Sequence, residues 1–283
     1  MHLPGAVSPL TREMVTGEPR GGTVLAAFPT ALYLRVDGGV GVDRVLPVVT
    51  ADALLLPTAV RLGVSSTVVH WPVAPGARVV IGGGRVCGSG LEVRAVRAWR
   101  PDRVRSGQPF PVAGVGLLPP GDVLGNGCAA IARAALTGRP VERQVGALVG
   151  AGQGLTPSGD DALCGVLLAL RAWGPSGAAL AEVAEAVDRS LHRTTDLSAA
   201  LLSAAADGYC VPQVAALLAA LVTVGPSDPA VEQEVARRFG AVLAIGHSSG
   251  GDLVAGLSGV LRALTSPSQR GQRVASRRVE RPM

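Results

Sequence analysis

The stretch GAGQGLTPSGDDALCGVLLALRAW, Gly150–Trp173, decides how the second half of the chain is read. It opens with glycines at 150, 152 and 154, passes through Thr-Pro-Ser-Gly and sets two aspartates side by side. It then runs apolar, with Leu163, Val166, Leu167, Leu170 and Trp173 at the three-to-four-residue spacing of a helix. Thr156 reads as the N-cap and Pro157 as the first helical residue. Asp160 and Asp161 then fall in the first turn, where the helix dipole favours negative charge, and Ser158 with Asp161 matches a capping box. An ordinary well-capped helix accounts for that much. The glycines ask for more. Gly152 and Gly154 permit positive φ, and a glycine loop feeding a helix N-terminus offers backbone N–H groups to an anion. Gly159 leaves that turn without bulk. An anion beside two aspartates needs a metal ion or an arginine between them. Neighbouring helical residues point about 100° apart. One aspartate is therefore expected to hold the loop and the other to meet substrate or Mg²⁺.

Outward from this helix, everything past Gly121 keeps the same period. Helices are expected in 121–136, 141–149, 158–173, 178–192, 196–208, 211–224, 228–245 and 250–264, all rich in Ala and Leu. Before about residue 115 the period changes. TVLAAF, ALYLRV, RVLPVV, STVVHW, ARVVIGG and LEVRAVRAW read as short strands broken by Gly and Pro. The expectation is an α+β chain: an N-terminal small β barrel or sandwich, then an all-α domain. The boundaries read as an N-terminal extension (1–21), a β domain (22–115), a helical domain (116–265) and a disordered Arg-rich tail (266–283).

Composition narrows the chemistry. The chain has 283 residues, is 48% hydrophobic and only 3% aromatic, so its cores must be built of Ala, Val and Leu. It contains no lysine, which excludes a lysine Schiff base and a Walker-A loop. The tail carries five arginines (270, 273, 277, 278, 281) against Glu280, a net +4 of the chain's +5. The body is thus nearly neutral and has no basic stripe for nucleic acid. Cys87, Cys128, Cys164 and Cys210 form no CxxC pair, which argues against zinc and a disulfide framework. MHLPGAVSPLTREM lacks the pattern of a secretory signal, and no apolar run is long enough to span a membrane. A cytoplasmic protein is expected.

Two further stretches repeat the logic of the first. In IGHSSGGDLVAG, Ile245–Gly256, Gly246 can end one helix, and Ser248 or Ser249 can cap the next, with Asp252 closing a capping box from Ser249. In HRTTDLSAALLSAAADG, Thr194, Thr195, Asp196 and Ser198 form a third, weaker polar helix start. His247 lies in a small-residue turn from which it can reach a ligand as donor, acid or base. No GxSxG elbow supports a Ser-His-Asp hydrolase. Three such starts can converge on one pocket.

GAGQGLTPSGDDALCG resembles the G-x-G-x-GLTPSGDD-x-L-x-G signature of the AllH-type subunit family of a three-chain oxamate carbamoyltransferase. GHSSGGDL and the T-x-x-S of Thr195 and Ser198 resemble that family's other signatures, in the same order. Ala162 departs from it, standing where many relatives have a bulky aromatic. The resemblance implies purine or allantoin catabolism, in which oxalurate and phosphate give oxamate and carbamoyl phosphate. It also implies two partner subunits, one of them acyl-CoA-synthetase-like. On this reading Asp160, Asp161 and His247 are the catalytic candidates. Gly152, Gly154, Thr156, Ser158 and Gly159 form an anion cradle, and Arg193 is the nearest counter-charge. Thr195, Ser198, Ser248, Ser249 and Asp252 complete the substrate-binding set, and Mg²⁺ is the one cofactor that the aspartates suggest. Two other readings compete: a non-catalytic assembly or binding subunit, and a phosphate-binding, kinase-like enzyme.

Overall fold

A computed structural model describes residues 1–39, 44–110, 121–223 and 229–265. The N-terminal strands close into a barrel. Its members are β1 (His2–Val7), β2 (Arg20–Phe28), β3 (Ala31–Val36), β4 (Val45–Val49), β5 (Val60–Leu62), β6 (Arg78–Gly82), β7 (Arg85–Gly88) and β8 (Leu91–Ala98). They neighbour one another in the order β1-β5-β4-β3-β2-β6-β7-β8, and β1 seals the ring by pairing antiparallel with β5 and parallel with β8. Of the two all-β forms expected, the barrel is built, so no strand edge stays unpaired. Leu32 and Leu34 on β3, Leu46 on β4, Leu62 on β5 and Ile81 on β6 are fully buried and fill its interior. A short helix, α1 (Arg12–Thr16), adds Met14 and Val15 to that cluster.

The strand reading needs several corrections, and β5 and β7 are not among the strands expected. His2–Val7 lies in the stretch taken for an extension, yet it is the strand that closes the barrel. Pro4 and Gly5 disguised it. Gly5 is required there, because a Cβ at that position would come within 2.7 Å of Val60 Cγ1 on the neighbouring strand. Ser66–Trp71, expected as a strand, forms turns and irregular structure. Its apolar residues still serve the barrel: Val69 is buried, and the Trp71 indole N–H donates to the Phe28 carbonyl at 2.7 Å.

The described residues fall into two compact units. The first contains residues 1–103 and 195–215, so the barrel carries with it helix α6 (Asp196–Ala206) and the start of α7 (Pro212–Thr223). This explains why all five residues of β4, VLPVV, are buried. One side faces the barrel interior and α6 packs against the strand, so both faces are apolar, as in a strand covered on both sides. A two-stranded ladder, β9 (Asp102–Arg103) with β10 (Tyr209–Cys210), also belongs here, with the Arg103 guanidinium 5.2 Å above the Tyr209 ring.

The second unit holds the remaining helices: α2 (Val123–Leu136), α3 (Glu142–Leu148), α4 (Ser158–Trp173), α5 (Gly177–Ser190), α8 (Pro229–Leu243) and α9 (Ser249–Thr265), with the rest of α7. α4 is its axis. Every residue of α4 except Ser158 and Arg171 is buried, and α2, α3, α5 and α9 all pack on it. Burying side chains such as Leu163, Leu167 and Leu170 stabilises the unit by about 1.5–3 kcal/mol each. Against α9, however, α4 presents backbone. A Cβ on Gly165 would strike the Leu253 carbonyl, and one on Gly256 would strike the Ala162 carbonyl. Two glycines, one per helix, bring the axes together near their N-terminal ends. Ala162 is fully buried at this crossing. The tail, 266–283, lies outside the described residues.

Candidate functional site

The site is built in the second unit, where α4 and α9 begin. The loop before α4 runs through Gly150, Gly152 and Gly154 at φ of 75°, 126° and 88°, the left-handed region that favours glycine. Gly152 must also lack a side chain, since a Cβ there would come 2.7 Å from the Ser158 nitrogen. The helix itself starts one residue later than expected. Pro157 is the N-cap, with extended-type ψ of 143°, and no side chain caps the turn. The capping box expected from Ser158 to Asp161 is therefore absent, and Thr156 is not the cap. Its hydroxyl instead lies 3.1 Å from that of Ser249, the first residue of α9. This contact also diverts Ser249 from the role expected for it, since α9 begins at Ser249 and the chain reverses before it through Gly246 at φ 60°. Two residues expected to cap their own helices thus join the two helix starts to each other.

The adjacent aspartates divide their work, as the 100° between them requires. Asp160 is 1% exposed, and both its oxygens are engaged. Oδ1 accepts the Gly150 N–H at 2.8 Å, and Oδ2 accepts the Thr194 hydroxyl. It ties the glycine loop to the segment that follows α5. Asp161 is also buried, at 8% exposure, but its Oδ2 has no hydrogen-bond partner. Burial is the largest influence on it and pushes its pKa up to about 7. The charges of Asp252 and Asp160 push the same way, while hydrogen bonds from the Ser249 and Thr156 hydroxyls oppose them. Asp252, in the first turn of α9, is half-buried and likewise keeps an Oδ2 that is buried without a partner. Thr156, Asp161, Ser249 and Asp252 therefore form one cluster, in which two carboxylates each retain an unused acceptor.

The other candidates lie differently. Gly159 is explained by packing: a Cβ there would be driven into the Leu148 carbonyl. Gly154 has open space around it, and Ser158 is half-buried at the first position of α4. His247 and Ser248 are exposed in the turn before α9. Arg193 is exposed, and its guanidinium lies over Gly146 of α3. Thr195 and Ser198 belong to the first unit, where the Thr195 hydroxyl caps α6 by accepting the Ser198 N–H at 3.1 Å. Gly150 opens the glycine loop and Thr194 belongs to the third polar helix start, but sequence reading assigned neither of them to Asp160. Thr194 sits beside the family-like Thr195, and only the fold shows which of the adjacent threonines faces Asp160.

Residues 148–261 match the family model described as oxamate carbamoyltransferase subunit AllH. The match runs from the end of α3 into α9 and so takes in the whole cluster, while the barrel precedes it. No curated protein and no solved structure matches the chain.

Proposed function

We propose that the chain is a subunit of a carbamoyltransferase, working with other subunits on oxalurate and phosphate to give oxamate and carbamoyl phosphate. The observation that carries this reading is the coincidence of the AllH match with the joined first turns of α4 and α9. In the reaction, the bond between the carbamoyl carbon and the oxamate nitrogen breaks. A bond from that carbon to a phosphate oxygen forms, and the phosphate's proton ends on the departing nitrogen. Such a transfer needs donors for a developing oxyanion and acceptors that orient the amide. The positive ends of the α4 and α9 helix dipoles favour the first, and the Thr156 and Ser249 hydroxyls stand between them. Asp161 and Asp252, each with an unused oxygen, supply the negative charge around which the substrate is oriented. Asp160 acts as a positioning residue, since both its oxygens are committed to the loop. His247, exposed on the turn beside Ser248, is placed to meet a substrate from the solvent side.

Two partner subunits, one resembling an acyl-CoA synthetase, and a cytoplasmic setting complete the proposal. Among the described residues no helix is long and apolar enough to cross a membrane. The test is thermal unfolding of the purified chain with carbamoyl phosphate or oxamate, followed by turnover assays with the partner subunits. A ligand at 100 times its Kd adds about 2.7 kcal/mol. A rise in Tm that disappears in Asp161→Asn, with turnover falling at least 100-fold in the assembled enzyme, supports the reading. Full turnover with both Asp161→Asn and His247→Ala would remove the site from the chemistry. A tight complex whose turnover ignores every substitution in the cluster would make this chain an assembly subunit.

A further inference from the structure

The cluster presents a contradiction in charge. Two helix N-termini meet there, which suits an anion, yet the side chains they carry are carboxylates. Asp160 does not enter the contradiction, because Gly150 and Thr194 satisfy it. Asp161 and Asp252 do, since each buries an oxygen that receives no hydrogen bond. Burying an unpaired carboxylate is costly, and two that repel each other are costlier still. An arginine would resolve this, but the Arg193 guanidinium lies over Gly146 of α3 and that of Arg262 lies over Gly121 and Gly125 at the start of α2. No described residue forms an ion pair with either aspartate.

We propose that Asp161 and Asp252, flanked by the Thr156 and Ser249 hydroxyls, hold one hard divalent cation, Mg²⁺ or Mn²⁺, between the first turns of α4 and α9. All four donors are oxygens, the chemistry that these ions select. Among the described residues no group of three or more His, Cys, Asp or Glu is placed to hold a metal ion, so the protein offers this ion two carboxylates only. Mg²⁺ asks for less from the protein: one or two carboxylates, with water and substrate oxygens completing its shell. The glycine crossing fixes the spacing. Gly165 lies against the Leu253 carbonyl beside Asp252, and Gly256 against the Ala162 carbonyl beside Asp161, so the two first turns are held together by backbone. An ion bound there turns the helix N-termini from an obstacle into an asset. Its outer side and the helix dipoles then attract the same anionic group of a substrate. That last step rests on the carbamoyl-transfer reading; the cation site does not.

The experiment is a Mn²⁺ titration of the full chain at pH 8, without substrate, reading free Mn²⁺ by electron paramagnetic resonance. One bound ion per chain is expected, displaced by excess Mg²⁺, with affinity falling at least tenfold in Asp161→Asn and in Asp252→Asn. Far-UV circular dichroism checks that each variant folds; if one does not, the other and the wild-type titration decide. Absence of Mn²⁺ binding by the wild-type chain at millimolar ion overturns the proposal, and so does binding that survives in both variants. Because no substrate is present, failure here is separate from failure of the carbamoyltransferase reading. That reading falls on turnover, and this one falls on metal alone.

Discussion

The barrel and the α4–α9 pair solve the same problem in opposite ways. Both come from a chain with few aromatics and many glycines. The barrel fills its interior with side-chain volume from alternating Leu, Val and Ile, and places glycine at a close strand approach such as Gly5. The helix pair removes side chains at its crossing, and backbone rests on backbone at Gly165 and Gly256. The difference teaches where precision is needed. A barrel core defines a volume, whereas a backbone crossing fixes the distance between two helix starts, and the candidate carboxylates hang from those starts.

The largest effect should come from refilling the crossing. Gly256→Val puts a side chain into the Ala162 carbonyl, which nothing flexible can relieve, so folding of the helical unit should be lost, read as absence of a cooperative thermal transition. In the barrel, Leu34→Ala leaves a cavity where a fully buried side chain stood and should cost about 2–5 kcal/mol in urea unfolding, with the fold retained.

Asp161→Asn should act with the opposite sign. The folded-state pKa of Asp161 lies at about 7, above the unfolded value of 3.8. Its stabilising contribution is therefore complete below pH 4 and lost as pH rises through 7. In chelator, the wild-type chain should lose up to about 4 kcal/mol from this group between those limits. Asp161→Asn should escape that loss and be the more stable protein at pH 8, measured by urea unfolding at several pH values. A wild-type profile flat from pH 4 to 8 would show that burial does not penalise this charge.

Thr194→Val removes the donor to the buried Asp160 and should cost about 1.5–3 kcal/mol, with faster hydrogen exchange at Gly150. The smallest effect belongs to Gly154→Ala. Space is open there, so only the φ of 88° penalises the methyl, by about 1–2 kcal/mol.

Much of this was legible in the chain because it depends on neighbours in sequence. The eight helices from α2 to α9 lie where the 3.6-residue period put them, since each buries an apolar face that its own residues define. The partition between Asp160 and Asp161 follows from helix geometry alone. The strands were less legible. β5 is three residues long, β1 carries Pro and Gly, and the apolar Ser66–Trp71 looked like a strand while covering one.

The sequence by itself determined the two periodicities, the glycine loop, the polar helix starts and the family signatures, because these are properties of contiguous residues. Only the tertiary structure decided that Thr156 meets Ser249 and that Thr194 holds Asp160. It alone showed that the Thr195 hydroxyl caps a helix of the barrel's unit by accepting the Ser198 N–H, and that Asp161 and Asp252 each bury an unused oxygen. The physical reason is range. A capping box costs a helix only its own first turn and can be read from four residues, whereas pairing residues 156 and 249 requires two backbones to touch. That contact exists because two distant glycines leave room for it.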